Sequence, residues 1–363
     1  MKKKKSILGI LIAISVMCLI FPVTVFSEEK SSVTVRAILP KNQKNKDVMH
    51  YDLKMKPKEE QTVELELTNS SKEDKEIQLE LTNAKTDNFG LIAYENLDSK
   101  NERNETLKLA LTDIATVQDK VVVKGNAKEV VKINIKTPDE GFDGVVAGAV
   151  RSTEVLGKAN EKEEKDNSVV YTVALNVTES DKEVLGELEL LEVFPSQVNG
   201  KNMIKANIQN KEAQFIEEIS YEAKVTKKGN TETLYQSKVD NYRMAPNSSF
   251  ELETSLKNQK FNEGEYTYKL VAESKRSGQK WELAKDFKID KKEAKKFNKT
   301  AVGLEEEDKT YLYVIGLGGL LLLLALVASL VSQRKKKKKT SKRKKGKSHK
   351  KGRKRSSKKK RTK

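Results

Sequence analysis

The 363-residue sequence has one cysteine, Cys18, and two histidines, His50 and His349. A lone cysteine excludes any disulfide within the chain. A zinc centre built on Cys and His needs three or four such ligands, so that class is excluded too. A Ser-His-Asp or Cys-His catalytic device would have to rest on His50 alone. Proline is 6 and glycine 18, too few for a low-complexity linker. Aromatic residues make up 6% and charged residues 34%. That balance suits thin domains with much surface better than one large core. The acidic run Glu305-Glu306-Glu307-Asp308 lacks the Gly-punctuated loop of a calcium hand. Neither a metal nor a cofactor is expected, and no catalytic residue is assigned.

What is present is charge in unusual places. The formal net charge is +18, from 71 Lys+Arg and 53 Asp+Glu. The last 30 residues, Arg334–Lys363, hold 21 of the basic groups and no acid, and Lys2–Lys5 hold 4 more. Removing both sets leaves 46 basic groups against 53 acids in Glu28–Thr310, a net of −7. The chain is an acidic body between two basic ends, a pattern that points to a membrane or a tail.

Two apolar runs give that pattern a meaning. Residues 1–27 read as a signal peptide, with Lys2–Lys5 as the positive region, Ile7–Ile20 as the apolar stretch and cleavage expected after Ser27. Cys18 lies inside it, so the mature chain would be free of cysteine. Tyr311–Val331 is 21 residues without a charge. At 1.5 Å per residue it spans roughly 30 Å, the thickness of a bilayer core. Arg334–Lys339 follow and mark the cytoplasmic side, which sets the N-terminal body outside. Residues 332–363 form a basic tail that cannot build a core and is expected to be disordered. Its charge suits anionic lipid headgroups. It has no aromatic for base stacking, so no nucleic-acid partner is assigned.

The body alternates apolar and polar residues with period two. Thr62–Leu67, Ile77–Leu81, Val131–Ile135 and Tyr171–Val177 each read as a strand with one buried face. A short helix is expected near Leu107–Ala115. The charged stretch Lys158–Asn167 reads as a hairpin loop before the last strand of this domain. A second series includes Ile204/Ala206/Ile208, Tyr221/Ala223/Val225, Tyr266/Tyr268/Leu270 and Phe287/Ile289. The pattern predicts an all-β body of two immunoglobulin-like antiparallel β-sandwiches in tandem, over 33–180 and 186–290. Residues 291–310 then link the body to the span.

Three runs in the first domain carry a family resemblance: Val35–Gln43, Tyr51–Pro57, and Pro138 with Phe142-Asp143-Gly144 and Gly148. In the second domain it rests on Met244-Ala245-Pro246-Asn247-Ser248, Gly264–Tyr266, and Trp281 with Phe287. In this order they make the chain resemble a WxL-interacting protein. The pattern departs at Asp52, where an aromatic residue is expected, and in a longer tail. The resemblance implies a Gram-positive surface protein with an N-terminal peptidoglycan-binding domain and a second, host-binding domain. It implies peptidoglycan, WxL-domain surface proteins and host matrix protein as partners.

Glycans stack on exposed aromatics, which singles out Tyr51, Phe89 and Tyr94 near first-domain turns. Phe142 and Asp143 read either as a recognition loop or as a turn, since Asp and Gly serve turn backbones. Trp281 reads as core or as a ligand platform. The function expected is that of a non-enzymatic, single-pass surface adhesin or scaffold. The alternatives are a wall-modifying enzyme and a membrane signalling receptor.

Overall fold

The computed structural model describes residues 31–95, 103–155, 168–305 and 314–331. The signal peptide at 1–27, the hairpin loop at 158–167 and the tail at 332–363 lie outside the described residues. The chain divides into two compact units, Met1–Gly303 and Leu304–Lys363.

In chain order the first half holds β1 (Val33–Ile38), β2 (Tyr51–Lys54), β3 (Glu60–Asn69), β4 (Lys75–Asn83), β5 (Lys85–Thr86) and β6 (Ile92–Ala93). It continues with α1 (Leu111–Ile114), β7 (Ala115–Thr116), β8 (Lys120–Val123), β9 (Lys128–Lys136), β10 (Val146–Val155) and β11 (Ser168–Thr178). The second half holds β12 (Leu188–Val198), β13 (Lys201–Asn210), β14 (Ile216–Lys227), β15 (Thr233–Met244), β16 (Ser249–Ser255), β17 (Gly264–Ser274) and β18 (Lys280–Ile289). The helix α2 (Lys291–Thr300) closes it.

The period-two pattern folds as expected. In β3, Val63, Leu65 and Leu67 are buried while Glu64 and Glu66 stay partly exposed. Alternate residues of a strand face opposite sides, so one apolar set lines the core. Each half is two sheets face to face. The first pairs β1-β3-β9-β7 with β2-β11-β10-β4-β8, and the second pairs β12-β13-β16 with β15-β14-β17-β18. The orders correspond: β1-β3-β9 matches β12-β13-β16, and β11-β10-β4-β8 matches β18-β17-β14-β15. Both halves are immunoglobulin-like sandwiches with one topology.

One pairing departs from the antiparallel expectation. β2 runs parallel to β11, with Tyr51 opposite Leu175 and Leu53 opposite Val177. After β1 the chain crosses to the other sheet and meets the last strand running in its own direction. The first sandwich also adds α1, β7 and the β5–β6 hairpin, none of which has a counterpart in the second.

The cores differ in kind. The first is aliphatic, built on residues such as Leu65, Leu67, Ile133, Ile135, Leu175 and Val177. The second adds aromatic rings to its aliphatic residues, with Tyr221, Phe250, Tyr266, Tyr268 and Phe287 buried. The Tyr221 ring meets Tyr242 at 5.8 Å edge-on and Phe250 at 5.5 Å. Tyr266 stacks on Phe287 at 5.4 Å. Burying one such apolar side chain stabilises by about 1.5–3 kcal/mol.

The same buried amide closes β3 and its counterpart β13. Asn69 Nδ2 donates to the Glu73 and Val123 carbonyls at 2.7 and 3.1 Å, and Asn69 Oδ1 accepts from Ser71 N at 2.9 Å. Asn210 Nδ2 donates to the Gln214 and Ala245 carbonyls at 2.7 and 3.0 Å, and Asn210 Oδ1 accepts from Glu212 N at 3.2 Å. Each amide satisfies backbone groups that a strand ending inside the protein leaves unpaired.

In the second unit, α3 (Val314–Val331) is an 18-residue apolar helix with none of its surface buried. It is about 27 Å long at 1.5 Å per residue, enough to cross a membrane core.

Candidate functional site

The first sandwich's extra hairpin reaches the second sandwich. Asp87 Oδ1 accepts from Phe89 N and Leu91 N at 2.9 and 2.8 Å, which folds the tip between β5 and β6. Gly90 has φ +72, and a Cβ there would lie 2.1 Å from the Tyr242 ring. Only glycine fits this approach. It lets the Gly90 carbonyl accept from Arg243 N at 2.8 Å. Thr86 Oγ1 accepts from Ala245 N at 2.9 Å and meets Ser248 Oγ at 2.5 Å.

A second contact is made by Phe142-Asp143-Gly144. Gly144 has φ +82, and a Cβ there would lie 2.2 Å from the Ala213 carbonyl oxygen, which accepts from Val145 N at 2.7 Å. Ala84, Ala147 and Ala245 are buried between the sandwiches, packed by Tyr94, Val145 and Phe215. The Phe-Asp-Gly run and the Met-Ala-Pro-Asn-Ser run, two local turns in the sequence, are thus the two faces of one interdomain seam.

Beside this seam lies a cleft of about 520 Å³, within the size range of small-ligand sites. The first sandwich lines it with His50, Asp52, Asn176, Thr178, Asp181 and Lys182. The second contributes Gln214, Phe215, Glu217, Arg276 and Gln279. Asn176 Oδ1 is buried and has no hydrogen-bond partner among the described residues. Asp143 holds one wall in place: its carboxylate pairs with Lys182 at 2.6 Å and accepts from Ser180 Oγ at 2.7 Å. The lysine's hydrogen bond keeps the Asp143 carboxyl below its ordinary range. Asp181 is held low in the same way by Lys54, 2.6 Å away. A general acid for glycoside cleavage needs a raised carboxyl pKa. Burial instead moves His50 downward, with Asp52 opposing. The chemistry on offer is hydrogen bonding to a polar ligand, with Phe215 as an apolar wall.

The residues singled out from sequence land in different places. Tyr51 is 0% exposed, and its hydroxyl donates to the Glu64 carbonyl at 2.6 Å. It is a core residue, which corrects its reading as a glycan contact: its position in β2 turns it inward. Tyr94 packs into the seam, where contact with the second sandwich takes the place of solvent. Phe89 is 78% exposed at the hairpin tip. Phe142 packs partly against the first core, and Trp281 partly against the second. Asp143 stands next to the cleft through Lys182. The cleft residues Asn176, Lys182, Phe215 and Arg276 were not singled out, because nothing local marks residues that meet only across two domains. Asp52, the departure from the family pattern, lines the cleft beside His50.

Tandem immunoglobulin-like sandwiches with a polar cleft at their junction define a protein of the β-sandwich class. The comparisons narrow this. Residues 33–154 match the peptidoglycan binding domain of WxL Interacting Protein, and residues 161–299 match its host binding domain. The chain belongs to the WxL-interacting protein family and is a surface binding protein. The second match begins at 161, whereas β11 (Ser168–Thr178) pairs with β10 along its length in the first sandwich.

Among solved structures, the chain is similar to a chaperone–tip adhesin complex of CFA/I fimbriae biogenesis, at 13% identity over 71% of this chain and 98% of that one, TM-score 0.29. It is similar to the YadV chaperone at 10% identity, over 70% and 100%, TM-score 0.26. The CsuC-CsuE chaperone-tip adhesion subunit pre-assembly complex of Acinetobacter baumannii matches at 12% identity, over 61% and 90%, TM-score 0.29. The fold class rests on the strand orders above rather than on these likenesses. A comparison with curated proteins gives no match.

Proposed function

We propose that this chain is a non-enzymatic, single-pass scaffold of the cell surface. Its first sandwich holds peptidoglycan, and its second holds a WxL-domain surface protein or a host matrix protein. The observation that carries this is the pair of matched binding domains, locked by one seam and followed by an apolar helix of membrane-spanning length. In this reading α3 anchors the chain, the body faces outward, and the tail at 332–363 lies on anionic lipid of the inner leaflet. The domains meet between 180 and 186.

We infer further that the interdomain cleft takes a polar segment of the wall polymer. Lys182 and Arg276 would hydrogen-bond it, and the exposed Phe89 would stack at the outer edge of the seam. Co-sedimentation of the detergent-solubilised full chain with purified sacculi tests the reading. The chain should pellet with the wall, release no soluble fragments, and retain added WxL-domain protein. Clearing of the suspension would instead reveal an enzyme. Lys182→Ala with Arg276→Ala should weaken wall binding roughly tenfold, as expected when about 1.4 kcal/mol of charged hydrogen bonding is lost.

A further inference from the structure

We propose that the end of the second sandwich farthest from the seam docks on an anionic phospholipid surface through a pole of lysines built on α2. β13 runs from Lys201 to Asn210, and Asn210 lies at the seam through Ala245. The start of β13 is therefore the far end, and α2 is fastened there. Gln197 Nε2 donates to the Phe297 carbonyl at 2.6 Å. Asn298 Oδ1 accepts from Phe261 N at 2.8 Å, and Asn298 Nδ2 donates to the Phe261 carbonyl at 2.9 Å. The Phe261 and Phe297 rings meet at 5.6 Å. What the sequence offers as a spacer is a helix fixed to the domain.

That helix presents Lys291, Lys292, Lys295, Lys296 and Lys299, all exposed. Lys257 and Lys260 stand on the loop that Asn298 holds, also exposed. None of these seven makes an ion pair among the described residues. Elsewhere on the same domain Lys205, Lys211, Lys228, Lys280 and Lys288 are paired with carboxylates, while lysines unpaired among the described residues, such as Lys238 and Lys269, stand singly on separate strands. Seven lysines against the exposed Glu263 and Glu293 leave this end net positive on a body of net −7. Between α2 and the loop runs a groove of about 520 Å³, floored by the buried Phe261 and Ala294 and rimmed by Lys291, Lys295 and Lys299 against the single carboxylate of Glu263. An apolar floor under a cationic rim suits a phosphate headgroup with its glycerol.

The inference rests on the reading of α3 as a membrane span. Thirteen residues lie between Thr300 and Val314, so the chain can reach at most about 50 Å between them. Attraction to an anionic surface fades over a Debye length, about 8 Å at physiological salt. A tether of that length limits how far the pole can stray from the end of the span and so raises its effective concentration at the bilayer. The run Glu305–Asp308 is the rival partner for the lysines.

The test uses the full chain in a Cys18→Ser background, with a fluorophore on Glu263→Cys and vesicles carrying headgroup quencher. Flotation with purely phosphatidylcholine vesicles establishes the span independently. In vesicles with 30% phosphatidylglycerol, a composition chosen as about a third anionic, quenching should rise at least about threefold over neutral vesicles. It should fall back at about 1 M salt, where screening shortens to 3 Å, and in a variant with the five α2 lysines changed to Gln. A label on Ser277→Cys at the seam end should stay unquenched. Flotation with equal quenching in neutral and anionic vesicles overturns the docking alone. Quenching that appears in anionic vesicles only after Glu305–Asp308 are neutralised assigns the lysines to that run and also overturns it. Failure to float overturns both readings.

Discussion

The two sandwiches share a strand order and a buried asparagine, yet the first core is aliphatic apart from Tyr51 while the second sets several aromatic rings among its aliphatic side chains. The first also carries the larger share of extra elements, α1, β2, β7 and the hairpin that grips its neighbour, while the second adds only α2. Topology in this fold is set by the alternation of the strands, which both halves obey. Core chemistry and insertions are free to differ. The aromatic core gives the second sandwich large, directional contacts in few positions. The first fills its core with smaller units and uses its insertions to build the seam.

That contrast is open to direct attack. Tyr221 is 0% exposed and touches two rings, so Tyr221→Ala should cost about 4 kcal/mol, while Leu65→Ala in the first core should cost about 3. Hydrogen exchange on the full chain reads each loss separately. Protection should fall in the mutated sandwich first, and equal loss in both halves would mean a single cooperative core. The asparagines sharpen the likeness instead. Asn69→Ala and Asn210→Ala should each cost about 2 kcal/mol through the carbonyls they strand, with matching effects in the two halves. A loss confined to one of them would break the equivalence.

Gly144→Ala addresses the seam. A methyl group would meet the Ala213 oxygen, and the left-handed backbone adds strain of about 1 kcal/mol or more. The amide of Val145 should lose protection while both cores keep theirs. The smallest effect expected is a pH dependence. His50 is held below its ordinary 6.5 by burial, so the unfolded chain binds this proton more tightly than the folded one. Its contribution to stability is full above 6.5 and declines as pH falls through the depressed value. His50→Gln should flatten that part of the stability profile of the first sandwich and leave the second unchanged.

The alternation at Val63, Leu65 and Leu67, or at Tyr266, Tyr268 and Leu270, made the fold class readable from sequence, because each strand buries one face. The apolar helix at Val314–Val331 was readable for the same kind of reason: nothing else needs so long a run. The parallel strand β2 was not, since direction depends on where the chain crosses between sheets. The site was largely hidden. Tyr51 has the composition of a ligand contact but the parity of a core position. Tyr94 looks like a loop aromatic until the second sandwich covers it. Asn176 and Arg276 lie a hundred residues apart and become neighbours only when two domains dock. The Phe142-Asp143-Gly144 and Met244–Ser248 turns were legible as turns, whereas their partners across the seam were not.

The seam holds the two sandwiches in one register. Nitroxide labels at Lys132→Cys and Lys269→Cys in the full Cys18→Ser chain, one on each domain, allow the separation to be measured by pulsed dipolar spectroscopy. A single narrow distance distribution, unchanged on adding sacculi, is the predicted result. A broad or multi-peaked distribution in the free protein would contradict it and return the two domains to independent beads.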